Sequence, residues 1–194
     1  MEPEEIKEED LPLIVFSDKT SGLLEFIIKF RTKGDYNHVM WSHRVGFFAS
    51  QGNTYSEAPL GRYMKTGNRL KYFQVLNLTA VQRKLIIESI NKKLKRPFWQ
   101  KKYDWLGIAG QALGLTWINT PWLDYCSEDV PQHLKYMAEK SLNEDTPLYK
   151  IIMGIPKHTS PEALNEYLKK YPEHFKIYGK WEEDDDKSLN LAFI

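Results

Sequence analysis

Residues 37–58 read NHVMWSHRVGFFASQGNTYSEA, and the reading of this stretch decides the fold. It divides into NHVMWSH, RVGFFASQ and NTYSEA, three short pieces with many β-branched and aromatic residues. Such side chains pack well on a pleated surface, so each piece is expected to be a strand. His43-Arg44 and the Gly52-Asn53 turn signal separate the pieces. Three strands in close succession point to a small, mostly antiparallel sheet.

On the N-terminal side, LPLIVFSD (11–18) is a short apolar run ending in polar residues and reads as a buried strand. SGLLEFIIKF (21–30) has helical spacing, with Ser21 as its N-cap. Downstream, RLKYFQVLNL (69–78) is expected to be a strand. TAVQRKLIIESINKKLK (79–95) is an amphipathic helix capped by Thr79, with Val81, Leu85, Ile86, Ile90 and Leu94 on one face. The segment TPWLDYCSEDVPQHLKYMAEK is helical from about Cys126 onward. YKIIMGI (149–155) reads as a strand, SPEALNEYLKKYP (160–172) as a helix capped by Ser160 before Pro161, and FKIYGKW (175–181) as a last strand. With the strand-rich part first and helices around the cysteine, the expected class is α+β. The 79–96 and 160–170 helices should flank the helix that carries Cys126.

A chain of 194 residues suits one well-buried domain. The expected division is an acidic arm over 1–10, a single domain over 11–181, and an acidic turn and tail over 182–194. With 42% hydrophobic and 13% aromatic residues, most of the chain can bury a core. A net charge of +1 does not suggest nucleic acid as a partner. The first residues, MEPEEIKEEDLP, lack the basic and apolar regions of a secretory signal, and no apolar run reaches the ~20 residues of a membrane span. A cytoplasmic protein is expected, or one of phage or bacterial origin acting after release. Oligomeric state is not set by any of these features.

Cys126 is the only cysteine, which excludes an internal disulfide and a Cys-rich zinc cage. Two readings stand side by side: a small buried filler, and a nucleophile on the first turn of a helix, where free N–H groups favour a thiolate. A nucleophilic thiol needs a base, and five histidines are available. His133 lies two turns along the same helix, about 10 Å from Cys126, too far for a hydrogen bond. His158 and His174 are expected to face solvent. His43 ends a strand beside Arg44, and His38 opens a strand that is otherwise apolar. His38 is therefore either a satisfied core histidine or a base held on a rigid element.

The set GDYNHVMW, VGFFAS and TYSEA, followed much later by YDWLG and LDYCSEDV, resembles the circularly permuted branch of the NlpC-type, papain-like cysteine hydrolases, the YiiX-like group. In that branch the His-bearing strands precede the cysteine helix, which is the order here. The resemblance runs from roughly Leu11 to Pro172. It implies a permuted papain-like fold with Cys126 as nucleophile, His38 as general base and Glu57 as the third polar residue orienting the imidazole. His43 is the rival for the base or orienting role. Tyr103 in YDWLG matches the tyrosine that lines the site, and Tyr103 and Asn37 are candidates for a second oxyanion donor. Asp104 reads as a helix cap. The chain departs from the unpermuted pattern in two places: Tyr125 separates Asp124 from Cys126, and Leu106 separates Trp105 from Gly107.

The resemblance implies a thiol hydrolase acting on amide or ester bonds through an acyl-enzyme, with no cofactor and no metal. Its substrate would be a peptide, a cell-wall fragment or a lipid-like acyl compound. The alternatives are an acyltransferase on lipid-like substrates and an inactive binding or structural protein that keeps the fold. Residues 97–122 hold four of the six tryptophans, which line an acyl groove or serve as packing behind the cysteine helix. The basic run KKLKRPFWQKK (92–102) meets phosphate groups or is a solvated helix end.

Overall fold

The central strands of the sheet, Leu13–Ser17 and its neighbour His38–Arg44, are almost wholly buried, as the apolar runs require. A computed structural model describes residues 6–18, 35–51, 54–64, 68–101, 126–156 and 159–182. The expected helix over 21–30, the Gly52-Asn53 turn, Tyr103, Asp104, the tryptophan-rich segment beyond 101, His158 and the tail from 183 lie outside the described residues. The strands are β1 (Leu13–Ser17), β2 (His38–Arg44), β3 (Phe47–Gln51), β4 (Tyr55–Pro59), β5 (Arg69–Val75) and β6 (Phe175–Glu182). They form one six-stranded antiparallel sheet in the order β4-β3-β2-β1-β5-β6. Four α-helices are present among the described residues: α1 (Ala80–Leu94), α2 (Cys126–Ser141), α3 (Pro147–Met153) and α4 (Pro161–Lys169). The chain is α+β, as expected.

Strand alternation sorts the core into two layers. On one face, Ile14, Phe16, Val39, Trp41, Ala49, Tyr55 and Phe73 pack with apolar residues of all four helices. On the other, Leu13, Val15, Met40, Phe48, Leu70 and Tyr72 are covered by Ile6, Leu11, Leu60, Tyr63 and Met64. Ile6, assigned to the arm by composition, is buried in this second layer.

Three local readings are corrected. The turn between β2 and β3 is at Val45-Gly46, not at His43-Arg44, and Gly46 takes a φ of 75° that only glycine adopts without strain. Val81 is 65% exposed, so the buried stripe of α1 is carried by Ile86 and Ile90. Residues 147–153 are helical, not a strand. A run such as KIIM is apolar enough for either state, and the N-terminal signals decide: Thr146 Oγ1 accepts from Tyr149 N–H, and Pro147 sits at the first position. Elsewhere the caps act as read. Thr79 forms a capping box with Gln82, and Ser160 accepts from Ala163 N–H.

Candidate active site

Helix α2 buries Cys126, Asp129, Val130, His133, Leu134, Met137 and Ala138, a stripe at i, i+3, i+4 and i+7 against the sheet. Cys126, 1% exposed, sits in the helix-side layer. His38, the first residue of β2, is buried too. Its parity with Met40 puts it on the opposite face, where its ring lies parallel to that of Tyr63 at 6.2 Å between centroids. Tyr63 is held by Ser50, hydroxyl to hydroxyl at 3.1 Å, and by Asn68, whose amide N–H donates to the Tyr63 carbonyl.

Burial raises the pKa of the Tyr63 phenol, and the nearby charge of Cys126 adds to that rise. Burial pulls His38 down to about 4, with Arg62 pushing the same way and Asp129, one turn beyond Cys126, pushing back. The contact described for the His38 ring is the stack on Tyr63.

Glu57 does not orient His38. It accepts two hydrogen bonds from Arg44, at 2.7 and 2.5 Å, and its Oε1 lies 2.9 Å from His43 Nε2. The cause is a bulge in β2. The pairing with β3 slips between Ser42 and Arg44, which brings His43 and Arg44 to the same side, with the Arg44 guanidinium over the Phe47 ring. Arg44 first, then His43, holds the Glu57 carboxyl below its usual range, while burial lowers the pKa of His43. Glu57 aligns with Ala49 and Trp41 across the sheet, on the helix side and two strands from β2. His43, the rival for the base or orienting role, is paired with Glu57 at this edge of the sheet, while the His133 ring lies edge-on to Trp41 at 6.5 Å. Replacing Glu57 by glutamine is expected to leave the iodoacetamide labelling rate of Cys126 within about twofold of the parent, because sites without shared partners act independently. A large drop would restore Glu57 to the site.

Asn37 is fully buried and donates its amide to the Asp18 carbonyl at 2.7 Å, while its Oδ1 has no partner among the described residues. One of its two amide hydrogens is therefore committed, which weakens it as an oxyanion donor.

Sequence reasoning missed a second cluster. Lys93, read as part of a solvated helix end, is buried and donates to Asp129 Oδ1 at 2.8 Å. His133 Nε2 lies 3.1 Å from the same oxygen and 3.3 Å from the Tyr55 hydroxyl, and Ser89 is 2.8 Å from His133 Nδ1. Burial opposes the Asp129 charge, but Lys93 and His133 outweigh it and hold the carboxyl at about 2. The order Ser89–His133–Asp129 is that of a serine hydrolase. Yet Ser89 lies inside α1, where neighbouring backbone N–H groups are spent in the helix and leave no oxyanion donor. The cluster is a polar strut between α1, α2 and β4. The i, i+4 spacing of Asp129 and His133 was the only sequence signal for it.

The buried histidines set the acid response. A folded-state pKa near 4 for His38, against 6.5 unfolded, means that the unfolded chain binds the proton first. Stability therefore falls as pH drops from 6.5 to 4, by about 3 kcal/mol from His38 alone. Asp129 adds a further loss below its ordinary value of 3.8. Urea midpoints measured across this range should show the slope, and His38→Asn should remove the larger share, leaving that of His43. An unchanged slope in that variant would refute the assignment.

Among the described residues, no group of three or more His, Cys, Asp or Glu is placed to hold a metal ion, and no helix is long and apolar enough to cross a membrane. No protein-family model matches the chain, and no curated protein matches it either.

Proposed function

We propose that this protein is a thiol hydrolase of the permuted, papain-like kind, cleaving an amide or ester bond through an acyl-Cys126 intermediate. The observation that supports this reading best is that Cys126 and His38, from distant parts of the chain, are both buried, on a helix and a strand that pack on one another. His38 takes the thiol proton as the sulfur attacks the acyl carbon. The resulting imidazolium gives its proton to the departing amine or alkoxide. Water then attacks the thioester, with His38 taking its proton, and frees the acid and the thiol. The backbone N–H of Cys126 is the first oxyanion donor in this scheme. The site is a dyad. The imidazole rests on a stacked tyrosine and closes on the sulfur when substrate binds, since catalytic hydrogen bonds commonly tighten only then.

A second reading has its own support. The 1% exposure of Cys126 among Val130, Leu134 and Met137 is what an inert core thiol shows, in a binding or structural protein. Incubation with p-nitrophenyl acyl esters followed by intact-mass measurement separates the two. The hydrolase should carry one acyl group on Cys126, absent from Cys126→Ala. No adduct at any pH would favour the inert thiol.

A further inference from the structure

The face of the sheet opposite the helices is apolar over Leu13, Val15, Met40, Phe48 and Leu70, yet four buried polar residues, Ser17, His38, Ser50 and Asn68, continue it. Burying polar side chains costs free energy unless they are bonded, and a bonded network in low dielectric fixes one geometry. Here the contacts close on themselves. Ser17 is the β1 partner of His38 in the sheet. Its Oγ donates to Asn68 Oδ1 at 3.0 Å, and Asn68 Nδ2 donates to the Tyr63 carbonyl. The Tyr63 ring then returns to His38, parallel to the imidazole within 10°. Tyr63 is braced twice more. Its hydroxyl meets Ser50 Oγ at 3.1 Å, and Phe48 packs edge-on against its ring, with centroids 5.3 Å apart.

The torsion that turns a histidine ring about its own axis is broad, so a base needs something to set it. In a triad the third polar residue does so, but Glu57 is engaged by Arg44 and His43. A parallel aromatic ring sets the same torsion from the face of the imidazole instead of its edge, because turning out of the plane gives up the offset stack. We infer that Tyr63 is the positioning residue of His38, holding the imidazole plane through the closed circuit of Ser17, Asn68 and Tyr63. The inference rests on His38 being the base proposed above. Tyr63 acts through His38 and takes no part in bond making.

Two readouts on the full chain test it: the His38 pKa from its ring proton signals, identified by their loss in His38→Asn, and the rate of Cys126 labelling by iodoacetamide. Tyr63→Ala opens the buried ring to water, with Arg62 and Asp129, the charges that act on His38, still in place. The His38 pKa is then expected to rise from about 4 to at least about 5. Labelling at pH 7, where the ring is neutral in both proteins, should fall about tenfold, a loss of placement and not of protonation. Tyr63→Phe keeps the stack and should restore both readouts. Asn68→Ala cuts the circuit with the tyrosine retained, and should move both in the same direction by less; it carries the test if Tyr63→Ala does not fold. An unchanged His38 pKa with parental labelling in these variants, while His38→Ala labels slowly, overturns the inference and leaves the circuit as a brace for the loop. If His38→Ala labels as fast as the parent, the hydrolase reading falls, and the pKa decides alone: a rise in Tyr63→Ala upholds the hold on the ring, and no rise overturns it.

Discussion

Replacing His38 by alanine is expected to slow acylation of Cys126 by about 10²–10⁴-fold, the usual contribution of a positioned general base. The pH profile carries the sharper signature. Burial, reinforced by Arg62 and opposed by Asp129, holds His38 at about 4, so the imidazole is neutral and able to accept a proton from about pH 5 upward. The parent rate should therefore fall off only near pH 4, well below the 6.5 of an ordinary histidine. In His38→Ala the reaction depends on spontaneous ionisation of the thiol. Its rate should rise about tenfold per pH unit toward ~8.5. The same profile would be read with iodoacetamide, which needs no substrate. Equal rates and parallel profiles in the two proteins would sink the dyad and leave Cys126 as a packing residue.

The largest stability effect is expected at the strut. Lys93→Met leaves Asp129 ionised and buried, with one carboxylate oxygen already lacking a partner among the described residues. Removing one member of a buried pair typically costs about 3–5 kcal/mol, visible as a lower urea midpoint. Asp129→Leu should cost a similar amount, because it removes the carboxylate that Lys93 and His133 share. In the double variant no unpaired charge remains, so its loss should be well below the sum of the two. Strict additivity would show that the 2.8 Å contact contributes nothing as a pair. The strut also bears on the site, since Asp129 is the charge that partly offsets the burial of His38.

Which segments would be strands and which helices was largely open to reading. Runs such as LIVFS and HVMW carry the β-branched and aromatic residues that strands bury. Thr79 and Ser160 announce their helices because a cap is a contact over three residues and depends on nothing distant. The failure at 147–153 has the same root. An apolar run alone does not separate a short helix from a strand, and the decisive signal was the Thr146-Pro147 start.

The candidate site was legible in its parts only. Cys126 and His38 stand out by residue type, and the order of their motifs suggested that they belong together. Glu57 looked like their third partner by the same logic, but one bulge in β2 hands it to His43 and Arg44. Lys93 looked solvated because its neighbours in sequence are, whereas the packing of α1 on α2 buries it against Asp129. From its sequence alone, then, this chain determines its local elements, whose contacts close within a few residues. Tertiary structure decides which buried polar groups pair, because a register shift of one residue reverses the face a side chain takes.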